Sequence, residues 1–260
     1  MSFVRLVEHM GSDASIVQAA RVSYGEGTKT PSDDRSLIRY LLRHWHTTPF
    51  EMVEFKFHVR CPIFVARQWL RHRTASVNEL SARYSIMQDD FYVPAPYTSQ
   101  SSDNKQGSDR SKFLDDTCTY NSIAHCAESF NMYTRLIESG ASREQARIHL
   151  PLGTMTEFYW KIDLHNLFGF LQRRMDPHAQ YEIRILAEKL FDLIKPHVPI
   201  ACEAFVDYRI DAVTLTGPEI RALRDNEPIK NKRERQEYDV KLRILGLVKE
   251  TQNEDKVSSE

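Results

Sequence analysis

Four cysteines in 260 residues form no C-x-x-C pair and no zinc-ribbon spacing. Cys61, Cys118, Cys126 and Cys202 read as reduced thiols of a cytoplasmic protein, used for packing. No signal-peptide pattern follows Met1, and no run nears the roughly 18 apolar residues a membrane helix needs, so no membrane partner is expected. Charge of neither sign prevails: 35 Lys and Arg stand against 36 Asp and Glu, a net charge of −1. A duplex-binding protein would carry a basic excess, so no nucleic-acid partner is expected. Glycine is scarce, with nine in all. Its one G-x-G, Gly25-Glu26-Gly27, meets Thr30 where a dinucleotide fingerprint needs a third glycine, and no strand precedes it. It reads as a surface turn. There is also no G-x-x-x-x-G-K-[ST], no G-x-S-x-G and no H-E-x-x-H. Any nucleotide must be held by side chains.

What is present is an ordinary globular chain, 41% hydrophobic and 27% charged, long enough to bury a core without staples. Val4 and Leu6 alternating with Arg5 suggest a first strand, and 15–22 a helix. Ser32 or Asp33 can cap a helix carrying Leu37, Ile38, Leu41, Leu42 and Trp45, which Thr47-Thr48-Pro49 breaks. Val53, Phe55, Phe57 and Val59 alternate with Glu54, Lys56 and His58, the clearest strand signal. Pro62 suits the first turn of a helix over 63–73. Residues 97–112 read as a mobile polar loop. A long helix follows, striped by Ile123, Ala127, Phe130, Thr134 and Ile137 and stopped by Gly140; Ser142 and Gln145 suggest a capping box. Residues 154–162 read as a strand, 164–174 and 178–195 as helices. Trp45, Trp69, Phe55, Phe57, Phe158 and Trp160 are expected in the core. The resulting class is α+β, helices packed on a small antiparallel-containing sheet in a single domain over 1–216. From Gly217 to Glu260 a charged extension reads as a solvated surface helix with 257–260 frayed.

Arg67, Arg71, Arg73 and Arg83, with His72, face a single acid, Glu79, in the stretch from 67 to 83. On the expected helix, Arg67 and Arg71 are i,i+4 neighbours, as are Gln68 and His72. Arginine's planar fork grips phosphate and carboxylate through two bonds. Taken alone, such a run is usually a solvated basic face. The 14 residues Arg71-His72-Arg73-Thr-Ala-Ser-Val-Asn78-Glu79-Leu-Ser81-Ala-Arg83-Tyr84 combine guanidinium, imidazole, amide, carboxylate and hydroxyl, a variety a plain surface helix has no use for.

This segment strongly resembles the signature of the flavin-dependent thymidylate synthases: R-H-R, seven residues, serine, extended by N-E-x-S-x-R-Y. Phe64-Val-Ala-Arg67-Gln68-Trp69, His46-x-x-Pro49-Phe-Glu51, Ala146-Arg147-x-x-Leu-Pro151 and Arg174-x-Asp176-x-His178-Ala-Gln180 are similar to the same family, in its order, over about residues 15–210. The resemblance implies a methyltransferase making dTMP from dUMP, with 5,10-methylenetetrahydrofolate as carbon donor and FAD, reduced by NADPH, as redox carrier. It implies a homotetramer with active sites shared between subunits, and no metal. The family's dUMP contacts fall on Gln68, Arg71, Glu79, Ser81, Arg83, Arg147 and Arg174. Its FAD contacts fall on His46, Thr48, Glu51, Arg71, His72, Arg73 and His178. Two departures are Asp163 and His165, where family members often carry asparagine and arginine. Asp163 can accept from a flavin ring N–H or cap the helix at Leu164, and both readings stay open. Gly169 stands where a polar side chain is common.

Physical chemistry agrees with these roles. Arg83 and Ser81 offer charge-assisted bonds to a phosphate dianion, and Arg71 with Arg73 can replace a glycine loop at a pyrophosphate. Addition at C6 of uracil pushes charge onto the C4 oxygen, where Arg174 as catalytic residue favours the enolate. Ser81 is a phosphate-binding hydroxyl in preference to a nucleophile, since no base is legible beside it. A metal enzyme built on His44, His46, His58 and His72 lacks a ligand set. A single-strand-binding module using the arginines with Tyr84, Phe91 and Tyr92 lacks a motif.

Overall fold

Alternating side chains build the centre of the fold. In the computed structural model, which describes residues 1–23, 33–102 and 105–247, strand β1 (Phe3–Met10) pairs with β2 (Glu54–Pro62), β2 with β6 (Met155–Asp163) and β6 with β3 (Ser76–Glu79). Every pairing is antiparallel. Phe55, Phe57 and Val59 face Ile162, Trp160 and Phe158 across the β2–β6 ladder, and all six are buried. The opposite face is polar, with Lys161 Nζ 2.9 Å from Glu54 and His58 Nε2 3.3 Å from Glu157. His58, expected on an exposed face, is nonetheless buried, sandwiched by Tyr159 at 5.0 Å and Phe3 at 5.1 Å between ring centroids.

Helices pack on the apolar face and beside it. They are α1 (Asp13–Arg21), α2 (Asp34–Arg43), α3 (Thr48–Glu51), α4 (Ile63–Trp69), α5 (Asp116–Glu138), α6 (Arg143–Ala146), α7 (Leu164–Arg174), α8 (Tyr181–Ile194) and α9 (Pro199–Phe205). Asp33 caps α2 through the Ser36 N–H, as its side chain suggested. Asp13 accepts from the N–H groups of Ile200 and Ala201 at 2.8 and 3.0 Å and so ties the start of α1 to α9. Phe168 stacks on Phe205 at 4.4 Å, and Trp69, Trp160 and Phe170 form an aromatic plate with centroids 4.7–5.2 Å apart.

Several expectations are corrected. Residues 97–112 hold a hairpin, β4 (Thr98–Gln100) with β5 (Ser108–Phe113), closed by Ser101 N–H and Gln100 Nε2 on the Gly107 carbonyl. Such polar strands carry no hydrophobic alternation, so the pattern could not reveal them; the same holds for the wholly exposed β3. Trp45 is 68% exposed, in a left-handed turn with φ 61° between α2 and α3. On α5 the buried positions are Cys126 and Tyr133, one step off the expected stripe, and Ile123 is exposed. Ser142 makes no side-chain cap. Gly140 does end α5, at φ 85°. Cys118 is exposed, whereas Cys61, Cys126 and Cys202 are buried thiols. The turn at 25–27 with Thr30, the alternative cap Ser32 and residues 257–260 lie outside the described residues.

A second compact unit begins at Val206. It holds α10 (Gly217–Asp225) and α11 (Lys232–Ile244), two helices where one was expected. Glu219 closes a capping box with Thr216 and meets Lys241 Nζ at 2.7 Å, with only 4% of its surface exposed. These partners hold the carboxyl below its usual range despite the opposing cost of burial. No helix among the described residues is long and apolar enough to cross a membrane.

Candidate active site

The Ile63–Trp69 helix ends four residues earlier than its sequence suggests, with Leu70 as its C-cap. The β-branched and small residues Thr74, Ser76 and Val77 then lead into β3. Arg71, His72 and Arg73 therefore sit on a turn, and Arg71 and His72 are not helical i,i+4 partners of Arg67 and Gln68. The turn still brings them together. Arg67, Gln68, Arg71, His72, Arg173 and Arg174 line one groove of about 660 Å³ that contains no carboxylate.

Arg174, the last residue of α7, organises this groove. Its Nε donates to His72 Nε2 at 3.1 Å, its Nη2 to the Gln68 carbonyl at 3.1 Å and its Nη1 to Gln68 Oε1 at 3.5 Å. Burial, with Arg173 and Arg71 alongside, lowers the proton affinity of its guanidinium. Burial, reinforced by the charges of Arg174 and Arg173, pulls His72 down to about 4. His72 is thus neutral at physiological pH and accepts from Arg174. Its ring leans edge-on against Phe170 of the aromatic plate at 4.8 Å. The side chains of Arg67, Arg71 and Arg73 make no hydrogen bond or ion pair among the described residues. Three guanidiniums without protein anions make a surface fit for phosphate or pyrophosphate oxygens.

A second cluster forms after β3. Glu79 accepts from Thr156 Oγ1 at 2.7 Å. Behind it Cys61, beside Thr156 in the ladder, is pushed up to about 12 by burial and then by the Glu79 charge, which keeps it a thiol. Ser81 Oγ accepts the Arg83 N–H at 3.3 Å, and no histidine or carboxylate is bonded to it among the described residues. Ala82 and Ala146 pack into one small cluster with Met87 and Tyr133, so the residues that follow them, Arg83 and Arg147, flank the same patch. Both are exposed; Arg83 lies 5.5 Å from the Tyr84 ring and Arg147 Nε donates only to the Glu144 carbonyl at 3.3 Å. Sequence reasoning missed Arg143, whose Nη1 donates to the Tyr84 carbonyl at 2.7 Å and tethers the turn. Nothing in the pattern around Arg143 signals this contact.

His46, Thr48, Glu51, Asp163 and His165 gather at the opposite end of α7, whereas His178 lies four residues beyond Arg174. Its 11 residues put about 15 Å between Leu164 and Arg174. Thr48 and Glu51 lie on α3, which packs against α7, and His46 is exposed on the turn before it. Asp163 caps α7, its oxygens accepting from Asn166 N at 2.9 Å and Asn166 Nδ2 at 2.7 Å. The capping reading of Asp163 is the one the geometry realises. His165 is half-buried beside it. Gly169 contributes only its carbonyl, to Arg173 Nη1 at 2.6 Å. His178 is exposed, its Nδ1 2.9 Å from Asp176. No group of three or more His, Cys, Asp or Glu that could hold a metal occurs among the described residues. One chain thus presents three patches, and none of Glu79, Ser81, Arg83 or Arg147 lines the Arg174 groove.

Comparison with known proteins gives this arrangement its setting. A family model described as thymidylate synthase complementing protein matches residues 5–200. The flavin-dependent thymidylate synthase of Dictyostelium discoideum is 52% identical over 241 residues, covering 90% of this chain and 79% of its own. One from Thermus thermophilus is 54% identical over 222 residues, 85% of this chain and 82% of its own. Among solved structures, a UMP/dUMP methylase, PolB of Streptomyces cacaoi, bound with 5-Br dUMP, superposes with a TM-score of 0.70 at 33% identity, covering 80% of this chain and 96% of that one. With the matched model spanning most of the chain and relatives above half identity, this chain belongs to the flavin-dependent thymidylate synthase family.

Proposed function

We propose that this chain methylates dUMP to dTMP, taking the carbon from 5,10-methylenetetrahydrofolate and reducing power from NADPH, as a homotetramer whose active sites draw on more than one subunit. The observation that carries the reading is the pair of arginine clusters without protein counter-anions, one around Arg174 and one around Arg83. Bound FAD supplies the redox chemistry that turns the transferred one-carbon unit into a methyl group. Arg71 and Arg73 would hold its pyrophosphate, with His72, His46, Thr48, Glu51 and His178 as further contacts. Asp163, with its oxygens engaged by Asn166, serves the fold at that end, and His165 is the side chain left there for the flavin.

Arg83, Arg147 and Ser81 bind the phosphate of dUMP, and Glu79 lies one turn away for the sugar or base. Ser81 works as a hydroxyl ligand, since nothing near it can take its proton. Arg174 has five N–H groups, of which three are spent on His72 and Gln68. The remaining ones point into a half-buried groove, where a developing oxyanion gains more from a guanidinium than it would in water. Because neither Arg83 nor Arg147 is among the residues lining the groove, the reading has each site completed by residues of different subunits.

The test is the visible spectrum of the protein with FAD, then with dUMP, then with NADPH in the absence of oxygen. A flavin band that shifts with dUMP and bleaches with NADPH is the expected result. A protein that stays featureless after FAD is added and the excess removed overturns it.

A further inference from the structure

We propose that Gln180 is a positioning residue: it fixes which way the amide of Gln68 faces, and so sets the preference of the groove for a base bearing carbonyls, such as uracil, over one bearing an exocyclic amine, such as cytosine. The inference rests on the reading that Gln68 and Arg174 contact the pyrimidine of dUMP.

The argument follows donors and acceptors from one side chain to the next. A guanidinium has no acceptor, so the Gln68 amide must turn its oxygen toward Arg174, where Nη1 lies at 3.5 Å. That contact is at the outer limit of a hydrogen bond and restrains the amide weakly. The Gln68 NH₂ then points the other way and donates to Gln180 Oε1, the second restraint on the amide. With the amide held so, the groups left free toward the groove are one N–H of Gln68 and the remaining N–H groups of Arg174. All are donors. The carbonyls of uracil satisfy them, whereas the amine of cytosine brings a donor against a donor and leaves half-buried groups unpaired. Without Gln180 the amide is free to rotate and to offer its oxygen to an amine.

Gln180 is itself firmly placed. It immediately precedes α8 and its side chain makes no capping bond to that helix, so it is available for Gln68. The next two residues are clamped: the Arg110 guanidinium lies 3.4 Å from the Tyr181 ring centroid, and Tyr92 Oη donates to Glu182 at 3.0 Å. Because no cap is lost, replacing the Gln180 side chain leaves the start of α8 intact.

A double-mutant cycle read by calorimetric titration of the FAD-loaded full chain with dUMP and with dCMP tests this. Gln180→Leu is expected to weaken dUMP binding about five- to tenfold and to narrow the dUMP-to-dCMP ratio by a similar factor. Gln180→Glu, which keeps an oxygen for the Gln68 NH₂, is expected to hold the wild-type ratio. In a Gln68→Ala background Gln180→Leu should have no further effect. Equal losses with and without Gln68, or a wild-type ratio in Gln180→Leu, overturn the proposal. Gln68→Ala binding dUMP as the wild type does overturns the underlying reading of Gln68, and the proposal with it.

Discussion

The two arginine clusters are built on opposite terms. In the groove, Arg174 is half-buried, bonded to His72 and Gln68, and backed by the Trp69–Trp160–Phe170 plate. Arg83, on the turn after β3, and Arg147, just after α6, stand in solvent, placed by Ala82 and Ala146 below and the Arg143–Tyr84 contact above. The first cluster is preorganised before any ligand arrives, so it suits charge that develops during reaction. The second is a pair of flexible cations that order on binding an anion, so it suits the permanent charge of a phosphate. On the proposed reading, residues of one chemical type divide into a catalytic and a binding role by burial and by the bonds that hold them.

The largest effect expected from breaking this contrast comes from Arg174→Ala, which should lower kcat/KM for dUMP about a thousandfold, mainly in kcat. Arg174→Lys should recover little, because one ammonium cannot serve His72, the Gln68 carbonyl and the substrate together. Arg83→Ala should act mainly on KM, raising it about ten- to a hundredfold, and its cost should shrink at high salt because the group is exposed. Steady-state rates at two ionic strengths separate these outcomes. Equal kcat losses for both variants would erase the contrast. A smaller change, about three- to tenfold in KM, is expected for Arg143→Ala through the freed Tyr84 carbonyl.

The smallest effect sharpens the contrast through pH. His72 titrates near 4 in the fold against about 6.5 when unfolded, so the unfolded chain binds more protons between those values. The stability due to neutral His72 is complete above about pH 6.5 and is lost as pH falls toward 4. Thermal melts over that window should show a shallower decline for His72→Asn than for the wild type. Arg83→Ala should leave the slope unchanged.

Legibility in the sequence follows the same division. The β2 and β6 strands and α7 to the residue could be read because apolar alternation and helical spacing are local properties. The Asp163 cap was one of two open readings, and the Asn166 contacts show that the cap forms. What was hidden depends on contacts distant in sequence or on polar pattern: the exposed strand β3, the β4–β5 hairpin, Arg143 on Tyr84, and Gln180 on Gln68. Trp45 misled because its helical spacing gives no sign of the left-handed turn that ejects it. The buried Glu219–Lys241 pair was invisible for a similar reason, since each partner looks like a surface charge until α10 and α11 fold together. Replacing Lys241 by Met leaves that carboxylate only its Thr216 cap and should cost about 1–3 kcal/mol in denaturant unfolding of the full chain.

Subunit mixing tests the division of the active site most directly. Arg174→Ala and Arg83→Ala chains are co-expressed with different tags, the mixed oligomers isolated, and dTMP formation from dUMP measured. If the two clusters of each site come from different subunits, random mixing rebuilds about a quarter of the sites with both arginines intact, and activity should return to about that fraction of wild type. Mixed oligomers as inactive as their parents would mean that a single chain supplies both arginines to each site, which contradicts a site divided between subunits.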